Sequence, residues 1–548
     1  MATNTTWDKI KSAMKRLEST HKRQDEDRDF AYMKDFYLTG HDESGKRFKL
    51  DGVNNVTGNQ PVTFADAIVT DLMSAQWQCK VEGDVSQPQA REIEKFVESG
   101  FDQGNEYLKT EHRMSGGLDA WLSNHVCLRP HIGVRICSGF GDGGLYYIEL
   151  LPLDMRWCAY PLIGNKWIAP FYFLSGEDIK ELYPDREEVM MLENSKMYII
   201  VDYWDSVKEE IWYVQADSHT YELDGTYLLS RPNEYGYPPF VLTFPSVGFM
   251  LRDKDYLEHE SESVFWKDRK LYPELNRQLS IQQTLGMNIL TPGYEREAEE
   301  FDNSPAIPVP RAGEVQKVPK GQAAKPVPTG DFNRASLSTK EDIVSMIEQG
   351  GISNAELGQS GLDRPGVWFA RQFEIRHKLE KPRFDAIADM KAGIARMMIK
   401  QAIASSKDGN KIRIGKTGRK YDFDVSKLLD PDKYSITFEY MTTSKEMEII
   451  NLAEANAAWG RVPRFYIFRD ILKSADPAGW MREIDMEMAR EVNPAITIME
   501  MAHSYLKEAE LSPDPKDKAM KNWMSMMLTH QYVMQMKMQL QPPMPQEE

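Results

Sequence analysis

At 548 residues with 41% hydrophobic content, the chain has the length for about two to four domains and ample material for their cores. Its 67 basic against 84 acidic residues leave a net charge of −17, which argues against a surface that grips nucleic acid over a wide area but does not exclude DNA passing nearby. Cys79, Cys127, Cys137 and Cys158 are too few and too irregular for a disulfide scaffold, so they read as buried thiols in a reducing compartment. No signal-peptide pattern or run of about 18 apolar residues points to export or to a membrane span.

In chain order, Thr5, Thr6 and Asp8 precede the apolar series Trp7, Ile10, Met14 and Leu17. This predicts a helix that runs on through the charged stretch 25–29 to Phe30, Met33, Phe36 and Tyr37 and stops at Gly40, with the charge run as a solvated face. Helical spacing returns over 62–77, followed by a short strand at QCKVEG, and then over 89–101 and 105–127. From Gly133 to about Val247 the period becomes two, in β-branched and aromatic runs separated by Gly, Asp and Pro, which predicts mainly antiparallel strands.

The next stretch, 255–366, organises the rest. Its first helix carries Leu271, Leu275, Leu279, Leu285 and Ile289 on an otherwise charged or amide-rich rod, a stripe too thin to fill a core. Seven prolines between Thr291 and Gly330 exclude a continuous helix and leave short extended pieces and turns. An insertion on a two-helix stalk is the result, and its narrow stripe needs neighbours, as in a ring. A long helix over 367–404 follows, with Pro382 expected to kink it. KIRIG, RKYDFDV and YSITFEYM restore strand character, and everything after Thr443 reads as helix. One α+β domain is therefore built from both flanks of the insertion, with a separate helical layer over the last hundred residues or so.

Catalytic signals fail on inspection. Gly415-Lys416-Thr417 ends like a phosphate-binding loop, but position 410 is Asn410 and the flanks are strands, so a hairpin turn is the better reading. Gly139 to Gly144 is likewise a strand-flanked hairpin tip. His125, Cys127, His131 and Cys137 match no zinc spacing and read as buried structural groups. No nucleophile, metal or cofactor set emerges, and no enzyme activity is expected. The methionines of the last helix, Met520 to Met538, suit adaptable packing between subunits.

The order of elements resembles the portal, or head-to-tail connector, proteins of tailed bacteriophages over nearly the whole chain. ESESVFWKDRKLYPELNRQLSIQQTL resembles the helix leading into that family's stem, the Pro-rich insertion its clip, and EDIVSMIEQGGISNAELGQSGLDRPGVWFARQFEIRHK its second stem helix, tunnel loop and following long helix. LAEANAAWGRVPRFYIFRDIL and MREIDMEMAREV resemble the approach to the crown. The resemblance implies an α+β subunit with a mixed α/β wing (1–253), stem helix 1 (254–290), a small α/β clip (291–330), stem helix 2 (331–350), a tunnel loop (351–366), a long kinked helix with the rest of the wing (367–450) and a helical crown with a tail (451–548).

It further implies a dodecameric ring at one capsid vertex, contacting the major capsid protein, docking terminase and then tail or adaptor proteins, and passing double-stranded DNA without hydrolysing ATP. Within the tunnel loop, Asn354, Gln359, Ser360 and Asp363 offer polar contact without strong cationic attraction, which suits a channel where tight phosphate binding would be friction. Arg364 is the exception, touching DNA or a neighbouring carboxylate. In the clip, Glu295, Glu297, Glu299, Glu300 and Asp302 oppose Arg311, Lys317, Lys320 and Lys325, charges that pair across subunits or stay solvated. The competing classes are another oligomeric virion part, such as a tail adaptor or scaffold, and a nucleic-acid or nucleotide enzyme, for which the acidic or phosphate-binding cluster is missing.

Overall fold

The computed structural model describes residues 5–141, 144–215, 225–248, 251–254, 256–290, 294–298, 315–319, 330–350, 366–406, 411–441, 445–472, 480–481, 484–485, 487–488, 494–511 and 515–540. Of the described residues 53% are helical and 22% strand, mixed helix and sheet in keeping with an α+β class. Two compact units divide it: residues 1–75 with 79–440, and 76–78 with 441–548.

In the first unit, helices α1 (Thr5–Arg16) and α2 (Glu18–Ala31) are followed by a small hairpin, β1 (Thr39–His41) with β2 (Arg47–Lys49), then α3 (Gln60–Ser74), β3 (Gln76–Gly83), α4 (Gln87–Glu111) and α5 (Gly117–Leu128). Strands β4 (Ile132–Phe140), β5 (Tyr146–Asp154), β6 (Cys158–Ala159) and β7 (Trp167–Ser175) lead to short helices α6 (Gly176–Leu182) and α7 (Glu187–Met190). Next come β8 (Met197–Asp205), β9 (Lys208–Gln215), β10 (Thr226–Pro232) and β11 (Phe240–Thr243). Period-two alternation becomes two antiparallel sheets, ordered β11-β4-β5 and β10-β9-β8-β7-β6. Trp7, Ile10 and Met14 of α1 close one core with Trp167, Val201 and Trp212 of the larger sheet.

Helix α8 (Tyr256–His259) and a non-helical segment lead into the stalk, which is α9 (Leu271–Leu290), β12 (Tyr294–Ala298) paired in parallel with β13 (Val315–Pro319), and α10 (Gly330–Gly350). Helix α11 (Gly366–Ser405) then returns to the body with Pro382 inside it, and beyond that proline Phe384, Ile387, Met390, Ile394 and Met398 are all buried. Its contact with β4 and β11 is close enough that a Cβ on Gly393 would overlap Val241. Strands β14 (Lys411–Ile414) and β15 (Tyr421–Asp424) form an antiparallel hairpin, and β16 (Tyr434–Met441) pairs with β3. The second unit is helical: α12 (Lys445–Ala458), α13 (Arg464–Tyr466) running into a π-helical turn (Ile467–Ile471), α14 (Pro494–Leu511) and α15 (Pro515–Leu540), the last two packed on each other. Among the described residues no helix is long and apolar enough to cross a membrane.

Four expectations need correction. The single helix expected up to Gly40 is two, α1 and α2, separated at Leu17; α2 ends at Ala31, Met33 takes a φ of 48°, and Gly40 lies in β1. There the backbone amides of Phe36 and Leu38 bond to the side chains of Thr57 and Asn55, 2.9 and 2.8 Å, instead of continuing a helix. The helix break falls not at 101–105 but at 112–116, where Arg113 has a φ of 55°. Gly104 sits inside α4 because a Cβ there would overlap Leu150. Stem helix 1 does not run from 254. Residues 260–270 are non-helical, with Ser261 at a φ of 57° and Val264 and Phe265 buried, and the stalk begins at Leu271. Last, the charge run on α2 is a solvated face only in part: Glu26 is exposed, but Asp27 is buried and Asp25 is held by partners described below.

Candidate functional site: the stalk and its anchor

Helix α2 turns charge inward. Thr20, His21, Arg23, Gln24 and Asp27 are buried, a polar stripe at the spacing usually taken by a hydrophobic one. Arg269 bonds Asp27 through Nε and Nη2 at 2.8 and 3.1 Å, and its Nη2 also reaches Glu262 at 2.8 Å. Arg23 donates to the carbonyls of Glu258 and Ser261 and stands 3.7 Å from Glu262. The same carboxylate meets His259 at 2.9 Å, and its backbone carbonyl accepts from Arg383 of α11 at 3.3 Å. Burial pushes Asp27 above the usual carboxylate range despite Arg269. For Glu262 burial acts in the same sense, but Arg23 and Arg269 together hold it below. The non-helical segment 260–270 is thus pinned from two sides by charge-assisted bonds that satisfy its backbone.

A second set continues this seam. Arg156 clamps Asp25 at 2.9 to 3.1 Å, while Gln24 and Arg129 exchange side-chain-to-carbonyl bonds at 2.9 and 2.8 Å. Arg129 also pairs with Asp154 at 3.1 Å. These contacts tie α2 to the end of α5 and to the turn after β5.

The thin stripe on α9 is compensated by a strap. The backbone amides of Asn54, Val56 and Gly58 bond to Thr284, Ser280 and Asn276 at 3.0, 2.8 and 2.8 Å. Two residues of extended chain advance about 6.6 Å, and four residues of helix about 6.0 Å. An extended segment therefore matches an i, i+4 polar column in register. Ser280 and Thr284 each donate to the carbonyl four residues back at 2.8 Å, so each hydroxyl both donates and accepts. Helices α9 and α10 meet through amides and hydroxyls too, with Ser336 within 3.4 Å of Gln282 and 3.3 Å of Gln278. Asp268, just before α9, lies against Gly350 at the end of α10, so the two helices run antiparallel.

Of the site residues expected from the sequence, Asn354, Gln359, Ser360, Asp363 and Arg364 lie outside the described residues, as do Glu299, Arg311 and Lys320. Glu295 is on β12 and Lys317 on β13, with Glu295 opposite Gln316 and Arg296 opposite Lys317. Glu295 and Glu297 on β12 and Lys317 on β13 are therefore carried by neighbouring strands of one chain.

Groups that invited a catalytic reading have structural work. Lys416 and Thr417 form the β14–β15 turn, and the Thr417 amide bonds to the carboxylate of Glu106 at 2.9 Å, where a phosphate would have to sit. His125 stacks on Trp121 at 4.2 Å with burial lowering it to about 4, and His131 meets the Tyr160 hydroxyl at 3.1 Å with burial lowering it to about 3. All four cysteines are buried free thiols, Cys137 pushed up by burial to about 11. Among the described residues no group of three or more His, Cys, Asp or Glu is placed to hold a metal ion.

The sequence signal for the anchor was available: polar residues at 20, 23, 24 and 27 repeat with helical period. Comparison of the chain with family models and with curated proteins found no match.

Proposed function

We propose that the protein is a portal-type subunit, assembling as a ring at one capsid vertex, passing double-stranded DNA, and docking terminase and then tail or adaptor proteins. The observation that carries the reading is the stalk: an antiparallel helical pair with a polar contact face, bearing a two-stranded insertion between its helices and fixed to an α+β body by a buried ion network. Such a stalk is rigid at its base and leaves Leu337 and Met346 of α10 exposed, 47% and 53%, which supports packing against neighbouring copies. On this reading residues 291–330 are the docking surface and 351–366 the part nearest DNA. Negative-stain imaging and mass photometry of the purified protein test it. Rings with a central hole support the reading, and compact monomers at micromolar concentration overturn it.

A further inference from the structure

The contact between Asp268 and Gly350 is chemically awkward as it stands. Asp268 is 2% exposed, and its carbonyl accepts from the amides of Leu271 and Tyr272 at 2.8 and 3.1 Å, opening α9. Its carboxyl group rests on the last residue of α10: a Cβ added to Gly350 would stand 3.0 Å from Oδ2 and closer still to Oδ1. A helix C-terminus presents carbonyls without intrahelical donors and the negative end of the dipole, so a carboxylate is the wrong charge there. Among the described residues Oδ2 has no hydrogen-bond partner, and neither has the buried hydroxyl of Tyr272. Among the described residues Lys267 is the cation that acts on Asp268, and Tyr272 is the titratable neighbour on α9; burial, then Asp268, pushes that phenol up. Against Lys267, burial pushes the Asp268 carboxyl up to about 6.

We propose that Asp268 is a protonation latch on the last turn of α10: as the neutral acid it donates a hydrogen bond to a carbonyl of that turn, and as the carboxylate it repels the same turn. A neutral carboxyl turns the repelled acceptor into the donor that the helix end lacks. The latch is held at pH 5 and released at pH 7.5. Its biological meaning rests on the channel reading above, because residues 351–366 leave the stalk from this turn.

Hydrogen exchange of the full-length protein, read by mass spectrometry over 344–350 between pH 5 and 7.5 and corrected for intrinsic rates, tests the latch. Wild type should lose about tenfold in protection over that range, the ratio expected when a group near pH 6 changes charge. Asp268→Asn, a permanent neutral donor, should stay protected throughout, and Asp268→Ala should be unprotected throughout. Protection that does not vary with pH in wild type, or an Asp268→Asn variant that follows the wild-type profile, overturns the latch. Mass photometry of the same samples keeps the two ideas apart. Rings with pH-independent exchange overturn the latch and leave the channel reading, whereas monomers with the expected exchange profile support the latch and remove the channel.

Discussion

Arg269 holds Asp27 with two nitrogens, at 2.8 and 3.1 Å, across 242 positions of sequence. Asp27 is fully buried, and removing one member of such a pair leaves a desolvated charge behind. Arg269→Ala should therefore lower stability by about 3–5 kcal/mol, measured by urea unfolding. The double change Asp27→Leu with Arg269→Met should cost less than either single alanine, because the stranded charge is gone. A double variant as unstable as the singles would show that the network acts through Glu262 and Arg23 instead.

Asp202 gives a pH dependence of the opposite sense to ordinary acid denaturation. It is buried in the larger sheet, 3.2 Å from Arg135, and burial raises its carboxyl to about 6 in spite of that arginine. A folded value above the unfolded one means that the contribution is present below about pH 4 and is lost as pH rises through 6. Asp202→Asn should remove a stability loss on the order of 2 kcal/mol between pH 4 and 7, seen as a flatter plot of Tm against pH. An unchanged slope would place the titration elsewhere.

Ser280 is fully buried in α9 and accepts the Val56 amide at 2.8 Å. Ser280→Ala keeps helix propensity but strands that amide, at a cost of about 1–3 kcal/mol. The local signature matters more than the total. Exchange of the Val56 amide should rise well beyond that of amides in β4, whereas a uniform rise would mean global loss and no strap.

How much of this was legible depends on where the partners lie. The β4–β5 and β14–β15 hairpins were readable because alternation and turn glycines are local, and so was the apolar face of α11 beyond Pro382. The anchor was legible only as a helical repeat of polar residues at 20, 23, 24 and 27; its partners were not, since Asp25 and Asp27 look solvated until Arg156 and Arg269 arrive from 131 and 242 positions away. Asn276, Ser280 and Thr284 likewise looked like an amide-rich rod, because their acceptor role exists only beside residues 54–58. The start of the stalk moved from 254 to 271 for the same reason: tertiary bonds to Glu258 and Ser261 replace the helical ones. The charges of β12 and β13 were legible as residues but not as a parallel pair within one chain.

On the proposed channel reading, the mechanical role of the stalk is separable from contact with DNA. Residues 351–366 connect α10 to α11, and the buried anchor, the strap and the α9–α10 contacts all lie outside that span. Replacing 354–363, with Asn354, Gln359, Ser360 and Asp363, by a Gly/Ser segment of equal length should therefore leave the Tm and the ring unchanged. Genome packaging or retention should fall in a complementation assay that counts filled heads. Arg364→Ala is the companion change: if Arg364 meets a neighbouring carboxylate, ring stability falls, whereas if it meets phosphate, packaging falls with the ring intact and with a weaker dependence on salt. Filled heads at wild-type yield for the loop replacement would remove the assignment of 351–366 to the channel.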